Sequence, residues 1–344
     1  MAKSITFKPK QVVKRLLSVL PERARNVIEG RFGLGANGKR MTLEAIGEKY
    51  DITRERVRQI ENAALALIRK SEIYKSEKGT FEELRSVIVS LGGVVSEDDI
   101  LEYVSSDKIA QNHINFLLVL GHLFDKHKED EHFKDRWVVD KVIADQVHQS
   151  LKKLYESLSD DDLIPEGEII AKFLDHLKDI SEEYKNEEII KRWLSISKRI
   201  KSNPLGEWGI TTSPNVSARG VRDYAFLVLR KHGSPMHFTD VAKAILNVFE
   251  KKAHVATTHN ELIKDKRFVL VGRGLYALSH WGYEGGVVRD VIKKILKKDG
   301  PLTRKEIVDR VLKERRVKEN TIVVNLQNDG YFSRDEKGRY HVVA

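Results

Sequence analysis

Four polar residues within the run TRERVRQIE have side chains suited to reading the edges of DNA bases. They are Arg54, Glu55, Arg58 and Gln59. An arginine fork pairs with the O6 and N7 atoms of guanine or clamps a phosphate, a carboxylate accepts from the N4 amine of cytosine, and glutamine pairs with adenine. A solvated polar face is the alternative interpretation, but the Arg-Glu-Arg order at the start of the run favours DNA contact.

The residues around this run predict two short helices joined by a tight turn. Thr42 can cap the first helix, and Thr53 can cap a second helix that extends to about Lys70. The small Gly47 lets two helices cross closely, and Asp51 lies four residues later, where the chain must turn. This spacing is typical of a helix-turn-helix.

The second helix should have an apolar side and a polar side. At about 100° per residue, five apolar residues share one arc. They are Val57, Ile60, Ala64, Leu67 and Ile68. The four base-reading candidates fall on the arc that faces away from them, at the N-terminal end of the helix. That is the end that meets base edges in the major groove.

The wider segment resembles region 4 of the primary, sigma-70-type bacterial sigma factors. LPERARNVIEGRFGL at Leu20–Leu34 and the run TLEAIGEKYDITRERVRQIE carry the resemblance, which covers about Lys10–Lys70. It implies a domain that binds the minus-35 promoter element and the flap of the RNA polymerase β subunit. The chain starts almost directly at this region, so we expect no region 2 and no autonomous promoter opening.

The resemblance also implies roles for single residues. In that family, the positions matching Arg54, Glu55 and Gln59 read minus-35 bases. The position matching Arg58 mainly touches the backbone there, but its guanidinium can also reach a guanine, so it stays among the base-reading candidates. The candidate contacts to the DNA backbone are Arg31, Lys39, Arg40, Thr42, Thr53 and Arg56.

The loop Gly33–Arg40 (GLGANGKR) matches two phosphate-binding patterns in part. Its glycines fit G-x-G-x-x-G, and its end fits most of a P-loop. Both patterns need a preceding strand, whereas a helix is predicted here. The P-loop also needs Ser or Thr where this chain has Arg40. We therefore predict a flexible link into the helix-turn-helix and no nucleotide cofactor.

An internal repeat follows Lys70. Each repeat has a helix, a turn, two further helices and a strand pair that ends near an aromatic residue. The aromatic residues recur at intervals of 71, 68 and 64 residues, and they are Trp137, Trp208, Tyr276 and Tyr340. Three helices followed by a two-stranded wing are typical of a winged helix.

The sequence therefore predicts a mainly α fold, with an N-terminal helix-turn-helix domain followed by tandem winged-helix units with small β-hairpin wings. The predicted boundaries are a flexible lead at 1–9, the DNA-binding domain at 10–75, two acidic winged-helix units at 79–142 and 145–215, a third unit at 218–283 and a last unit at 285–344.

The third of these units resembles the HARE-type winged helix found in the delta subunit of bacterial RNA polymerase. The residues GSPMHFTDVAKAI and FVLVGRGLYALSHWGY carry the resemblance over Gly220–Tyr283. Arg273 at the predicted hairpin tip, with Lys266 and Arg267 beside it, is a candidate for contact with a minor groove. The alternative is that these wing residues are basic by chance within a basic segment.

The net charge of +10 is unevenly distributed along the chain. Residues 1–78 carry +9, residues 79–217 carry −10 and residues 218–344 carry +11. Basic ends suit contact with a polyanion, which would repel the acidic centre. There is no cysteine, no segment typical of a signal peptide and no apolar run of about 18 residues. We expect a cytoplasmic, nucleoid-associated protein without a membrane partner.

No catalytic motif is evident, since the sequence contains neither HExxH nor G-x-S-x-G. We predict no enzyme, no metal site and no cofactor. The sequence indicates a transcription regulator that binds double-stranded promoter DNA sequence-specifically and acts with RNA polymerase in initiation. The alternative is a polymerase-associated accessory protein, like the delta subunit, with little sequence specificity. The oligomeric state stays open.

Overall fold

The computed structural model describes residues 5–177, 182–283, 287–315 and 317–343. The described chain is mainly helical and its strands form small antiparallel sheets, which confirms the predicted fold class. It divides into two compact units. One comprises residues 1–202 with 207–212, and the other comprises residues 203–206 with 213–344.

Five helices form the N-terminal segment: Pro9–Leu17 (α1), Glu22–Phe32 (α2), Leu43–Tyr50 (α3), Arg54–Lys70 (α4) and Glu72–Ser76 (α5). The predicted helix-turn-helix is α3 and α4, and both predicted caps are confirmed. Oγ1 of Thr42 accepts from the amide of Ala45 at 3.1 Å, and Oγ1 of Thr53 accepts from the amide of Arg56 at 3.2 Å. Such caps satisfy amides that have no partner inside the helix.

Gly47 and Asp51 shape the turn between α3 and α4. A Cβ atom on Gly47 would lie 2.6 Å from the backbone oxygen of Ile52, so this position has no room for a side chain. Asp51 ends α3 with a φ of 52°, in the left-handed region that Asp tolerates better than most residues. The sequence assigned both residues to the correct places in the motif.

After α5, one order of elements recurs: a helix, a short strand, two helices and a hairpin. The first repeat contains Lys78–Ser90 (α6), Val94–Ser96 (β1), Glu97–Val104 (α7), Lys108–Leu120 (α8), Asp125–His127 (β2) and Arg136–Val138 (β3). The second contains Lys141–Ser157 (α9), Glu166–His176 (α10), Glu187–Ile196 (α11), Ile200–Ser202 (β4) and Trp208–Ile210 (β5).

The third and fourth repeats lie in the second compact unit. The third contains Val221–His232 (α12), Met236–His237 (β6), Phe238–Phe249 (α13), Val255–Lys264 (α14), Phe268–Gly272 (β7) and Leu275–Leu278 (β8). The fourth contains Val288–Asp299 (α15), Leu302–Thr303 (β9), Arg304–Glu314 (α16), Glu319–Leu326 (α17), Phe332–Arg334 (β10) and Arg339–Val342 (β11).

The last strand of each repeat carries the recurring aromatic residue. In three repeats it is the central strand of a three-stranded sheet, with orders β1-β3-β2, β6-β8-β7 and β10-β11-β9. In the second repeat, a single bridge between Ile164 and Trp208 stands where the first strand would lie. This is the order of a winged helix. The predicted domain boundaries and the HARE resemblance stay predictions.

The first repeat shares its apolar core with the N-terminal helices. One cluster of buried side chains extends from Val12 on α1 to Phe116 on α8 and Trp137 on β3. A second cluster joins Val94 and Val138 of the same repeat to the helices of the second repeat. Burial of one large apolar side chain contributes about 1.5–3 kcal/mol. Because the first cluster contains residues on both sides of the predicted boundary between residues 75 and 79, the core continues across that boundary.

Candidate nucleic-acid interface

The apolar arc of α4 differs from the predicted one at one position. Four of the five predicted residues are buried or half-buried. The prediction was wrong for Leu67, which is 45% exposed, whereas Leu65 is buried. These two residues lie about 80° on either side of the centre of the arc, so helical periodicity does not separate them. The core that α4 shares with α1 and α8 lies on the side of Leu65.

The base-reading candidates lie on the opposite, exposed side of α4. We call this surface the reading face, and it consists of Arg54, Glu55, Arg58 and Gln59. Its two arginine side chains are 68% and 56% exposed. Val57, between them in sequence, is fully buried and anchors this end of the helix. The structure thus brings all four side chains together on one accessible surface.

Two side chains of the reading face contact neighbours on α3 and α4. Nη1 of Arg54 donates to Oε1 of Glu44 on α3 at 3.0 Å. Oε1 of Gln59 accepts from Nη1 of Arg56 at 3.0 Å. All of these residues are exposed to solvent, where such pairs contribute little to stability. A DNA duplex can therefore compete for them.

The other two members of the reading face bind each other. Nε and Nη2 of Arg58 donate to the two carboxylate oxygens of Glu55 at 2.9 and 2.7 Å. These hydrogen bonds lower the pKa of Glu55 and raise the pKa of Arg58, so both side chains stay charged. The pair presents one carboxylate and one guanidinium side by side, in the planar geometry that also fits a base edge.

Four of the backbone-contact candidates lie at helix N-termini or are exposed to solvent. Thr42 and Thr53 lie at the N-termini of α3 and α4, where unpaired amides and the helix dipole favour an anion. Lys39 and Arg56 are exposed nearby in the chain. Thr53 and Arg56 adjoin the reading face in sequence, and Lys39 and Arg56 add exposed positive charge to the segment.

Arg31 and Arg40 make contacts within the protein. Nε of Arg31 lies 3.6 Å from Oε2 of Glu61, and its Nη1 donates to the carbonyl oxygen of Met41 at 3.4 Å. Nε of Arg40 donates to Oδ1 of Asn112 at 2.8 Å. Asn112 lies on α8, in the first repeat. Sequence reasoning missed this contact because no local pattern links residues that are 72 positions apart.

The loop 33–40 is a folded connection anchored on α8. Nδ2 of Asn112 donates to the carbonyl oxygens of Gly33 at 3.0 Å and Gly38 at 2.8 Å. A Cβ atom on Gly33, which has a φ of 66°, would lie 2.8 Å from that nitrogen. The prediction of a flexible link was therefore wrong, because a buried side chain from another part of the fold satisfies the loop's carbonyl groups. The element before the loop is α2, a helix, as predicted.

The candidate wing residues separate into two kinds. Lys266 and Arg273 are exposed, the latter at the tip of the β7–β8 hairpin. Arg267 is mostly buried, and its Nη2 lies 2.9 Å from Asp223 and 2.7 Å from Asp265. Burial opposes the charged form of this guanidinium, but the two carboxylates outweigh it and raise its pKa. Arg267 therefore holds the hairpin against α12.

Two further features bear on function. Among residues 5–177, 182–283, 287–315 and 317–343, no group of three His, Cys, Asp or Glu side chains is placed to hold a metal ion. In the same residues, no helix has the length and apolar character needed to cross a membrane.

Comparison with known proteins gives matches to the segment that contains the reading face. Residues 16–70 match the family described as Sigma-70, region 4. The RNA polymerase sigma factor SigA of a Bacillus species is 41% identical over 73 residues, which are 21% of this chain and 19% of that protein. SigA of Listeria monocytogenes and of Listeria innocua are each 40% identical with the same coverage.

The chain thus spans about a fifth of the length of the curated relatives it matches. The matched segment includes α2, α3 and α4 in full and ends where α4 ends. It contains all four members of the reading face and both caps. Residues 16–70 of this chain are therefore similar to region 4 of sigma-70 factors.

Proposed function

We propose that the chain is a sequence-specific DNA-binding transcription regulator that recognises a minus-35-type promoter element and acts with RNA polymerase in initiation. The reading face carries this proposal. Its four side chains lie on the exposed first turns of a capped helix, inside the segment that matches sigma-70 region 4. An α-helix in this position fits the major groove of DNA with its N-terminal residues against the bases.

Recognition would exchange weak contacts within the protein for contacts to bases. Arg54 would leave Glu44 and pair with a guanine, and Glu55 would accept from the amine of a cytosine. Each good bidentate contact contributes about 1–3 kcal/mol of discrimination against the wrong base. The same carboxylates repel phosphates, so they weaken binding at sites that offer no matching base.

The arrangement of charge around the reading face supports contact with the DNA backbone. Thr42 and Thr53 would bind phosphates at the starts of two helices, while Lys39 and Arg56 would neutralise phosphates nearby. These contacts position a protein on DNA and make its affinity depend on salt. Arg31 and Arg40 have internal partners, and we assign them a supporting role at most.

RNA polymerase is the proposed protein partner, and its β flap is the proposed contact. Support comes from the matched relatives, whose names describe RNA polymerase sigma factors. Parts of α1 and α2 are already covered by α8, as the 5.1 Å contact between the rings of Phe32 and Phe116 illustrates. The flap would therefore bind a surface outside this contact. Such a complex would form on promoter DNA in the nucleoid.

One observation favours the alternative of a polymerase-associated accessory protein with little sequence specificity. The third helices of the third and fourth repeats, α14 and α17, carry little positive charge. They expose apolar side chains instead, with Val255 at 43%, Ile263 at 62% and Val324 at 56%. Exposed apolar side chains suit contact with protein better than contact with phosphates. These repeats would then serve protein contacts in either function.

Selection from a random pool of DNA duplexes tests the proposal. The full chain should enrich one motif, and the Arg54→Ala variant should lose the preference at one or two positions of it. Arg85→Ala is the matched control, because Arg85 is an exposed arginine on α6, outside the matched segment. If the full chain enriches no motif and only binds in a salt-dependent way, the accessory function replaces the proposed one.

A further inference from the structure

A cleft of about 680 Å³ lies between the third and fourth repeats, inside the second compact unit. The β7–β8 hairpin forms one side with Leu270 and Leu275, and the fourth repeat forms the other with Val288 and Val317. Pockets that hold small ligands have volumes of roughly 300–1,000 Å³ and mostly apolar walls with a few polar groups. The cleft has both properties.

Arg315, which follows α16, lines this cleft and is 3% exposed. Its Nη1 donates to the carbonyl oxygen of Leu270, while its Nε is buried and has no hydrogen-bond partner among the described residues. Within the described residues, no carboxylate forms an ion pair with it. Burial lowers its pKa from the ordinary value. An arginine nevertheless stays protonated near neutral pH, so Arg315 is a buried cation at the wall of the cleft.

The remaining charges at the cleft have the same sign. Arg273 at the hairpin tip and Lys318 before α17 line its exposed part, and no Asp or Glu is among the described residues that line it. Thr321 and Asn325 on α17 add neutral hydrogen-bonding groups. A buried charge is costly unless it is paired. The described residues that line the cleft therefore carry only positive charge, and the carboxylates that act on Arg315, those of Asp290 and Glu314, lie outside the lining.

We propose that this cleft binds a small molecule with an apolar body and one anionic group. The anionic group pairs with Arg315, with Arg273 and Lys318 nearby, and the apolar body lies against Leu270 and Val288. A DNA phosphate does not fit this site, because the guanidinium of Arg315 lies too deep for a convex duplex. The ligand contacts both repeats, so its binding stabilises their contact with each other.

Decanoate is the probe, and 1-decanol, with the same chain length and no charge, is its control. Binding to the full chain is measured by calorimetry, and hydrogen exchange locates it. We expect decanoate to bind at least about tenfold more tightly than decanol, because hydrogen bonds to charged groups contribute about 1.5–3 kcal/mol. Decanoate should slow exchange in β7, β8 and α17 and leave α4 unchanged.

Substitutions at the exposed part of the cleft test its charges without disturbing buried groups. The double variant R273Q/K318Q should bind decanoate about tenfold more weakly than the unaltered chain. K305Q/K313Q removes two positive charges from exposed positions on α16 outside the cleft, and it should bind as the unaltered chain does.

Four results would overturn the proposal. The first is equal binding of decanoate and decanol, and the second is equal loss of binding in the two double variants. The third is absence of slower exchange in β7, β8 and α17. The fourth is binding of a short acidic peptide of alternating Asp and Leu without binding of decanoate, which would assign the cleft to a protein partner.

Discussion

Nη1 of Arg54 on α4 lies 3.0 Å from Oε1 of Glu44 on α3, so the two helices of the helix-turn-helix are linked through a side chain of the reading face. Both side chains are more than half exposed. The pair holds the Arg54 guanidinium beside the first turn of α3 in the free protein. In the proposed complex, Glu44 would therefore compete with DNA for the guanidinium of Arg54.

Replacing Glu44 with Gln should raise the affinity for DNA of unrelated sequence about threefold, the scale of one exposed ion pair. The change frees Arg54 and removes a negative charge near the phosphates. Affinity for a selected site should rise at least as much, because Arg54 no longer has to leave Glu44 before it pairs with a guanine. Fluorescence anisotropy with both duplexes measures the two affinities. Glu48→Gln, the same change at another exposed position on α3, is the control. Equal effects of the two variants would contradict a special role for Glu44.

Arg54 and Arg56 should contribute to DNA binding in different ways. Arg56→Ala should weaken binding to all duplexes and reduce the slope of log affinity against log salt by about 0.9, the loss of one phosphate contact. Arg54→Ala should cost about 1–3 kcal/mol on the selected site and much less on other sequences. Salt titrations on the two duplexes measure both quantities. A change of slope without loss of preference in Arg54→Ala would place that residue on the backbone.

Gly47→Ala should destabilise the protein by about 1–3 kcal/mol, because the new Cβ would lie 2.6 Å from the backbone oxygen of Ile52. Gly79 on α6 is the control, since no atom lies within 4 Å of a Cβ added there. Gly79→Ala should instead stabilise its helix by about 0.5–1 kcal/mol. Urea unfolding followed by circular dichroism measures the free energy of unfolding of both variants. A stable Gly47→Ala variant would show that α3 and α4 can move apart.

Substitution of two asparagines on α8, Asn112 and Asn115, should change the stability of the protein in different ways. Asn112→Ala leaves the carbonyl groups of Gly33 and Gly38 without their donor, and it should cost about 1–3 kcal/mol. Nδ2 of buried Asn115 has no hydrogen-bond partner, so Asn115→Leu should leave stability unchanged or raise it. Thermal unfolding measures stability, and hydrogen exchange of residues 33–40 reports on the loop. Unchanged exchange there in Asn112→Ala would contradict the anchoring role.

His148 should make the first compact unit sensitive to acid. Burial and the nearby Arg136 lower its pKa from 6.5 to about 4, and its Nε2 accepts from Nε of Arg136 at 2.7 Å. Between about pH 4 and pH 6.5, the imidazole of His148 is therefore mostly protonated in the unfolded chain and mostly neutral in the folded chain. This contribution to stability is complete above pH 6.5 and is lost as the pH falls towards 4, and at pH 5 the loss is on the order of 2 kcal/mol.

Comparison of the free energy of unfolding at pH 7.5 and pH 5 tests this prediction. His148→Gln keeps an acceptor for Arg136 but does not titrate in this range, so its stability should change less between the two conditions. His132→Gln, in the same compact unit, should behave as the unaltered chain does. The other ionisable groups that act on His148 are His127, Asp130 and Lys152. An unchanged pH dependence in His148→Gln would contradict this role of His148.

Local chemistry made much of the reading face predictable. The caps at Thr42 and Thr53, the crossing at Gly47 and the turn at Asp51 each depend on neighbours within a few residues. Such patterns are readable from sequence because their hydrogen bonds close over one helical turn. The recurring aromatic residues likewise marked the last strand of every repeat, since each repeat buries its wing in the same way.

Contacts between distant segments were not predictable in this way. Arg40 and Asn112 have no shared pattern, and the loop 33–40 was expected to be flexible for that reason. Arg267 looked like an exposed wing residue until the fold brought Asp223 beside it. Leu65 and Leu67 are equivalent by periodicity, and only the position of the neighbouring helices decides which one is buried. Tertiary packing decided all of these outcomes.

The core that runs from α1 to β3 includes the C-terminal half of α4, so one continuous helix links the reading face to the core of the first acidic repeat. In the proposed complex, binding of α4 in the major groove would therefore also fix the orientation of that repeat relative to the duplex axis. An acidic repeat held in a fixed orientation repels the phosphates of any DNA that bends towards it. Electrostatic repulsion from the first repeat would thus favour promoters whose flanking DNA points away from that repeat.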